Sequence, residues 1–176
     1  ELPTIRVLDP ADGMRKFTFP TSVESLTLDS LKQFISDFNE KKLVPFLKSE
    51  EIPAETTDPL KVIVGKNFNS AVLESDNDVL MKFYAPWCGH CKTLAPIWEQ
   101  VANELKDIPN LVIAKMDSTA NEVDGLEIKG YPTLKFYPKG NKGAPVDYNG
   151  GRTAEDIKQW LKENSAAYKN YQEGKT

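Results

Sequence analysis

"FYAPWCGHCKTLAP", Phe83 to Pro96, holds both cysteines of the chain, Cys88 and Cys91, and its only histidine, His90. Thiols this close admit three readings: a structural staple, part of a metal site, or a pair that cycles between thiol and disulfide. A staple explains little, because the entropy a disulfide removes from the unfolded chain grows with loop length and this ring is very short. A secreted scaffold held by disulfides also carries more cysteines than two. Zinc takes about four ligands. Cys88, His90 and Cys91 are the only soft ligands in the chain, so zinc would need carboxylates or a second molecule. Redox cycling is the leading reading, and no metal is expected.

The bulk properties are those of a globular chain. The 176 residues are 40% hydrophobic and 27% charged, enough for one domain of common size and an additional piece. A formal net charge of −4 gives no general attraction to nucleic acid or anionic lipid. Apolar runs fall far short of the roughly 20 residues that cross a bilayer. Neither nucleic acid nor membrane is an expected partner. The chain starts at Glu1 without a signal-peptide pattern and reads as a piece of a longer precursor.

Around the cysteines, strand and helix signals alternate. "KVIV" (Lys61–Val64), "VLMKFY" (Val79–Tyr84) and "LVIAKMD" (Leu111–Asp117) are β-branched or aromatic runs that predict buried strands. Asn67–Glu74 predicts a helical turn with Asn67 as N-cap, and Asn121–Leu126 a short helix. Leu94, Ile97, Trp98, Val101 and Leu105 fall at helical spacing, with Pro96 inside the run as a source of a kink. "TLKFYP" (Thr133–Pro138) and "PVDYNG" (Pro145–Gly150) predict a hairpin. "TAEDIKQWLKEN" predicts a closing amphipathic helix, with Thr153 and Asp156 as a capping box. This order predicts an α/β fold with a central mixed sheet, parallel where helices intervene and antiparallel at the final hairpin, and helices on both faces.

The opening block repeats the end of this pattern. "LPTIRVLDP" from Leu2 matches "YPTLKFYPK" from Tyr131, 129 residues later. A second strand, "RKFTF", and a helix, "LDSLKQFISDFNEKKL", follow in the same order as "PVDYNG" and the closing helix. Residues 1–48 are therefore expected to be a β-β-α half of a second copy of the same fold. A strand pair and one helix bury too little apolar surface to fold alone. The polar, proline-containing segment 49–59 is a linker, 60–170 the complete domain and 171–176 a tail.

Cys88 follows a strand and opens a helix, so its sulfur lies near unpaired N–H groups at the positive end of the helix dipole. That setting lowers a thiol pKa, and the thiolate is the species that attacks a disulfide. Cys88 is expected to be the nucleophile. Cys91, one turn on and more buried, is expected to be the resolving thiol. Gly89 leaves room for a substrate backbone, and a protonated His90 would add a cation beside the thiolate. Trp87, next to the loop, is expected to flank the substrate surface.

"FYAPWCGHCK", "IAKMDSTANEV" and "GYPTLKF" resemble the catalytic, thioredoxin-like domain of the protein disulfide isomerase family over about Pro59 to Tyr168. "LVPFLKSEEIP" and "VIVGKNF" resemble the run into that family's second catalytic domain, a′, and residues 1–48 then resemble the latter half of the non-catalytic b′ domain. The resemblance implies a thiol–disulfide oxidoreductase and isomerase, with chaperone function in the family, acting on unfolded or partly folded cysteine-containing proteins. It implies the endoplasmic reticulum lumen. It implies no cofactor beyond a Cys88–Cys91 disulfide that exchanges electrons with glutathione or a thiol oxidase. It implies a cis peptide at Tyr131–Pro132, facing the cysteines and substrate; Leu2–Pro3 is a second candidate for that geometry. Arg152 in "GGRT" matches an arginine that swings toward the resolving cysteine.

One position departs from the family. Lys82 stands where these catalytic domains usually carry a glutamate that takes the proton of the resolving cysteine. Lys115 matches the lysine that normally pairs with that glutamate. Two lysines are thus expected to face one another in a low-dielectric region, and both are assigned to tuning of the redox pair. Either one amine is neutral or Lys82 carries its head to water along its aliphatic stem; the stem route is the expected one.

Overall fold

The computed structural model describes residues 3–174, so the Leu2–Pro3 bond lies outside the described residues. The chain divides into two units, Glu1–Leu47 and Lys48–Thr176.

In the smaller unit, β1 (Arg6–Asp9) and β2 (Arg15–Thr18) form an antiparallel hairpin. Its turn uses left-handed backbone at Gly13 and Met14. Helix α1 (Leu28–Asn39) follows, capped by Thr27, whose hydroxyl accepts the Ser30 N–H at 3.1 Å. The helix stops short of the expected Leu43. Glu40 turns its N–H back to Ser36 and Phe38, and Lys41 takes φ 56°. Phe17, Phe19 and Phe34 form the small core.

In the larger unit a five-stranded sheet runs in the order β3 (Leu60–Val62), β5 (Leu111–Asp117), β4 (Asp78–Tyr84), β6 (Thr133–Tyr137), β7 (Val146–Asp147). The pairs β3–β5 and β4–β5 are parallel; β4–β6 and β6–β7 are antiparallel. Parallel pairing needs a crossover, and α2 (Gly89–Leu105) supplies the one between β4 and β5. Helix α2 runs unbroken through Pro96. With α3 (Ala154–Asn164) it covers one face through Leu94, Trp98, Val101, Ile157 and Leu161. A 3-10 turn at Gly65–Asn67 and a π turn at Asn69–Leu73 place Phe68 and Val72 on the other face. The expected turn is there, but Asn67 closes it: its Oδ1 accepts the Val64 N–H at 2.8 Å.

Two elements differ from expectation. Asn121–Leu126 is a turn closed by a Val123–Leu126 bridge, not a helix. Gly125 there has φ 72°, and the Asn121 side chain is taken up by Ser49, Glu50, Gly65 and the Asp117 carbonyl. A further helix, α4 (Ala166–Gln172), runs past residue 170. Ser165 caps it and also donates to the buried Asp78 carboxylate at 2.6 Å, which fastens the helix beneath β4. The start of the expected linker is bound as well. Glu122 N–H donates to the Lys48 carbonyl at 2.7 Å, and Lys66 N–H to Ser49 Oγ at 2.9 Å. A Cβ on Gly65 would meet the Glu122 carbonyl at 2.8 Å, so that approach needs glycine. Residues 51–58 are exposed.

The smaller unit repeats the β-β-α order that ends the larger one, and the repeat holds at the level of register. Arg6 pairs with Thr18 as Lys135 pairs with Asp147, and the Phe19 N–H donates to the Ile5 carbonyl as Tyr148 does to Leu134; all are displaced by 129 residues. Phe19 and Phe34 meet edge-on at 5.4 Å, as Tyr148 and Trp160 do at 5.3 Å. Ala154, Ile157 and Leu161 are buried against the cover of the large sheet. Of their counterparts on α1, Leu28 and Ile35 are 68% and 46% exposed, and Leu31 is half-buried. A peptide spanning residues 1–47 is therefore expected to show no cooperative thermal transition; strongly protected amides in hydrogen exchange would refute this.

Lys82, in β4, is 3% exposed and in register with Lys115 on β5, and among the described residues its side chain has no hydrogen bond or ion pair. Its Nζ lies 5.5 Å from the Tyr84 ring centroid and 5.9 Å from that of Trp98. The head thus stays under the helix, contrary to the expected route to water, because the rings offer it a partial partner. Burial, then the Lys115 charge, lowers its pKa to about 8. The unfolded lysine titrates near ~10.4, so between about pH 8 and ~10.4 the native state binds fewer protons than the unfolded state and stability rises with pH. Below that window the full cost applies, up to about 3 kcal/mol at 1.36 kcal/mol per pKa unit. Lys82→Met is expected to stabilise the protein by up to that amount at pH 7, and the gain should vanish near pH 10.5. Urea titrations at both values check it; a pH-independent gain would contradict the assignment.

Candidate active site

Strand β4 ends at Tyr84, and Ala85–Trp87 turn the chain into α2 with Cys88 as the N-cap. Cys88 Sγ accepts the Cys91 N–H at 3.2 Å, the bond that an N-cap oxygen usually makes. The two sulfurs are 2.6 Å apart, with the Cys91 thiol donating. Both are free cysteines, the dithiol form of the pair. Cys88 is 7% and Cys91 4% exposed.

The environments push the two thiols apart. The hydrogen bond from Cys91 holds the Cys88 pKa down, against some desolvation, with help from the backbone N–H groups of Cys91 and His90 and the charge of Arg152. Burial, followed by the bond to Cys88, pushes the Cys91 thiol up; Ala85 backbone and the Lys82 charge oppose this. One thiol is thus readied as an anion while the other keeps its proton, which fits a nucleophile followed by a resolving group.

The surrounding residues take distinct places. Gly89 is exposed, and nothing lies within 4 Å of where its Cβ would stand. His90 is exposed and acts on Cys88 through its main-chain N–H. Trp87 is 71% exposed and packs edge-on against Tyr131 at 5.9 Å. Tyr131–Pro132 is cis, as the resemblance implies. The Tyr131 carbonyl accepts the Cys88 thiol at 3.6 Å, so that loop lies against the nucleophile. Arg152 is exposed, and its charge acts on Cys88. Lys82 lies close enough for its charge to act on Cys91, with Lys115 beside it. The carboxylate that acts on Lys82 is Glu99, which is exposed on α2.

Sequence reasoning missed Tyr84 and Trp98 as the rings around the Lys82 head, and Ala85 as the backbone partner of Cys91. Alternation along "VLMKFY" places Tyr84 on the Lys82 face; nothing local identifies Trp98. Among the described residues no three His, Cys, Asp or Glu side chains converge as a metal site, and no helix is long and apolar enough to cross a membrane.

Comparison with known proteins agrees with this geometry. The chain is 46% identical over 162 residues to a protein disulfide-isomerase of Gallus gallus, and 48% identical over 155 residues to one of Humicola insolens. These matches take 92% and 85% of the chain but 31% and 30% of the relatives, so the chain spans about a third of their length. The first thioredoxin domain of mouse protein disulfide-isomerase A4 superposes with a TM-score of 0.53 at 39% identity, covering 65% of this chain and 81% of that one. The thioredoxin family model matches residues 59–163, a stretch that holds all five strands of the larger sheet and both cysteines; the chain belongs to the thioredoxin family.

Proposed function

We propose that this chain catalyses thiol–disulfide exchange in polypeptides, forming, reducing and rearranging their disulfides. The observation that carries the reading is the unequal pair: Cys88 at the helix N-cap with a lowered pKa, Cys91 behind it with a raised one. In the reducing direction the Cys88 thiolate attacks one sulfur of a substrate disulfide. A Cys88–substrate bond forms, the substrate S–S bond breaks, and the departing sulfur takes a proton from solvent. Cys91 then gives up its proton and attacks Cys88; the second substrate sulfur leaves, and two electrons have passed from the dithiol to the substrate. Oxidation is the reverse. Rearrangement needs only entry and departure at Cys88.

The two sulfurs carry the redox equivalents, so the reaction calls for no other cofactor, and glutathione or a thiol oxidase resets the pair. Likeness to protein disulfide-isomerases supports unfolded, cysteine-containing proteins as substrates and the endoplasmic reticulum lumen as location. Gly89, Trp87, Tyr131 and Pro132 would receive the substrate backbone. His90 and Arg152 would favour the Cys88 thiolate. The register-matched repeat supports residues 1–48 as the latter half of a non-catalytic b′ domain, joined through 49–59 to an a′ domain at 60–170.

Lys82 stands in for a carboxylate base. As a cation it favours a Cys91 thiolate but takes no proton; as a neutral amine, above about pH 8, it can take one. Release of a mixed disulfide at Cys88 is therefore expected to be faster in Lys82→Glu than in the parent at pH 6–7, with the two rates converging above about pH 8. Equal rates from pH 6 to 9 would deprive Lys82 of any kinetic role.

Brief labelling with iodoacetamide near neutral pH should modify Cys88 first and abolish exchange activity. Mass mapping decides, and preferential modification of Cys91 would reverse the roles.

A further inference from the structure

Three stretches of chain frame the Cys88 sulfur. The first, Phe83 to Trp98, is the end of β4 and the first half of α2. The second, Ile128 to Tyr137, holds the Tyr131 carbonyl that accepts the Cys88 thiol at 3.6 Å. The third, Tyr148 to Ala154, lies beside the second, where the Tyr148 N–H donates to the Leu134 carbonyl at 2.9 Å. None of the three contains an aspartate or a glutamate, although the whole chain has a formal net charge of −4. They do contain Lys92, Lys129, Lys135 and Arg152. Lys135 is paired with Asp147 at 2.6 Å. Lys92, Lys129 and Arg152 are exposed, and among the described residues none of them takes part in an ion pair. The frame of the nucleophile is thus positive in a chain that is acidic as a whole.

Arg152 is the best placed of these cations, because its main chain is held on both sides. The Tyr148 hydroxyl donates to the Gly151 carbonyl, and Thr153 exchanges hydrogen bonds with Asp156 as the cap of α3. A Cβ on Gly151 would collide with the Asp156 carboxylate, so the chain there has little freedom to move. The carboxylates nearest in sequence are already engaged. Asp156 Oδ2 accepts Thr153 Oγ1 at 2.7 Å, and Glu155 pairs with Lys158 at 3.6 Å. The guanidinium therefore stands on a fixed base, exposed, and near enough for its charge to act on Cys88. A guanidinium presents a planar fork of N–H donors whose natural partner is a carboxylate.

We propose that Arg152 is a specificity-determining residue that takes a carboxylate of the substrate polypeptide, an aspartate or glutamate within two residues of the cysteine that reaches Cys88. The proposal rests on the reading of the chain as an exchange catalyst for polypeptides. Lys92 and Lys129 add attraction at longer range, and a lysine on the approaching chain is repelled. The contact is exposed to solvent, where ion pairs are individually modest and screened by salt. A preference of a few fold that fades with ionic strength is the expected signature.

The test uses disulfide-linked homodimers of a short cysteine peptide with blocked ends. Uncharged dithiothreitol is the reductant, so the peptide supplies every carboxylate offered to the site. Each dimer and one dithiothreitol give two peptide thiols and the cyclic disulfide of the reductant. Aspartate, asparagine and lysine are compared at each of two positions on either side of the cysteine. Every kcat/KM is divided by the rate constant of the same peptide with dithiothreitol alone, which removes the effect of the new charge on the disulfide itself. At one position aspartate should exceed asparagine about fourfold at an ionic strength of about 0.01 M, with lysine below both. The difference should vanish near 1 M, where the screening length is about 3 Å. Arg152→Gln should bring the aspartate-to-asparagine ratio to about one. No preference at any position overturns the proposal. So does a ratio that Arg152→Gln leaves unchanged, the result expected were Arg152 to act only on the Cys88 thiolate, which would slow all peptides alike. Failure to reduce any of the peptides, with Cys88 still alkylated normally, overturns the exchange reading itself and the proposal with it.

Discussion

A sulfur atom occupies the place at the start of α2 where helices usually put an oxygen. Cys88 accepts the Cys91 N–H there, so the bond that begins the helix also stabilises the anion of the nucleophile. That bond fixes the inequality of the two thiols. Cys91 must lie in the first turn to donate it, and the first turn is pressed against the sheet, where burial keeps the Cys91 proton on. The rest of the larger unit holds this junction still. Strand β4 is paired on both sides, so its end cannot shift, and Trp98 anchors α2 by donating to the Ala114 carbonyl at 3.1 Å.

Beneath the junction, stability and chemistry compete for one residue. Lys82 is costly because it is buried, faces Lys115 and has only two aromatic rings for company. The same burial brings its pKa to about 8, where an amine can exchange protons under ordinary conditions. A lysine that reached water would be cheap and inert. A carboxylate here would pair with Lys115 and serve as a base over a wider pH range. The lysine instead offers positive charge to Cys91 at low pH and an acceptor only at higher pH.

What was legible in the sequence was mostly local. The strands β4, β5 and β6 announced themselves through β-branched and aromatic runs, and α3 through its Thr153–Asp156 capping box, which forms as expected. Cys88 and Cys91 were legible because a short cysteine spacing at a strand–helix junction has few other uses. The misses depend on distant partners. Asn121–Leu126 has a passable helix composition, but Asn121 spends its amide on a segment about seventy residues away. Helix α4 begins at a serine that reads as the end of α3, and only Asp78, far earlier in the chain, shows why it serves both. The Lys82 head could be placed only once Trp98 was known to lie over it.

The two halves of the repeat show which features this fold keeps fixed. The hairpins agree residue for residue at a constant offset of 129, yet the helices that follow agree at 126, as Thr27 and Thr153 show. The difference falls in the loop, where the smaller unit has a 3-10 turn at Val23–Ser25. This is where a length change is cheapest. One residue inserted into a strand would move its whole apolar set to the wrong face, whereas a loop between strand and helix absorbs it at small entropic cost. The edge-on pair of Phe19 and Phe34 survives because both flanking elements keep their own phase. The apolar face of α1 survives for the same reason. Leu28 and Ile35 stand where Ala154 and Leu161 do, and their exposure follows from the smaller unit having no elements equivalent to β4 and α2.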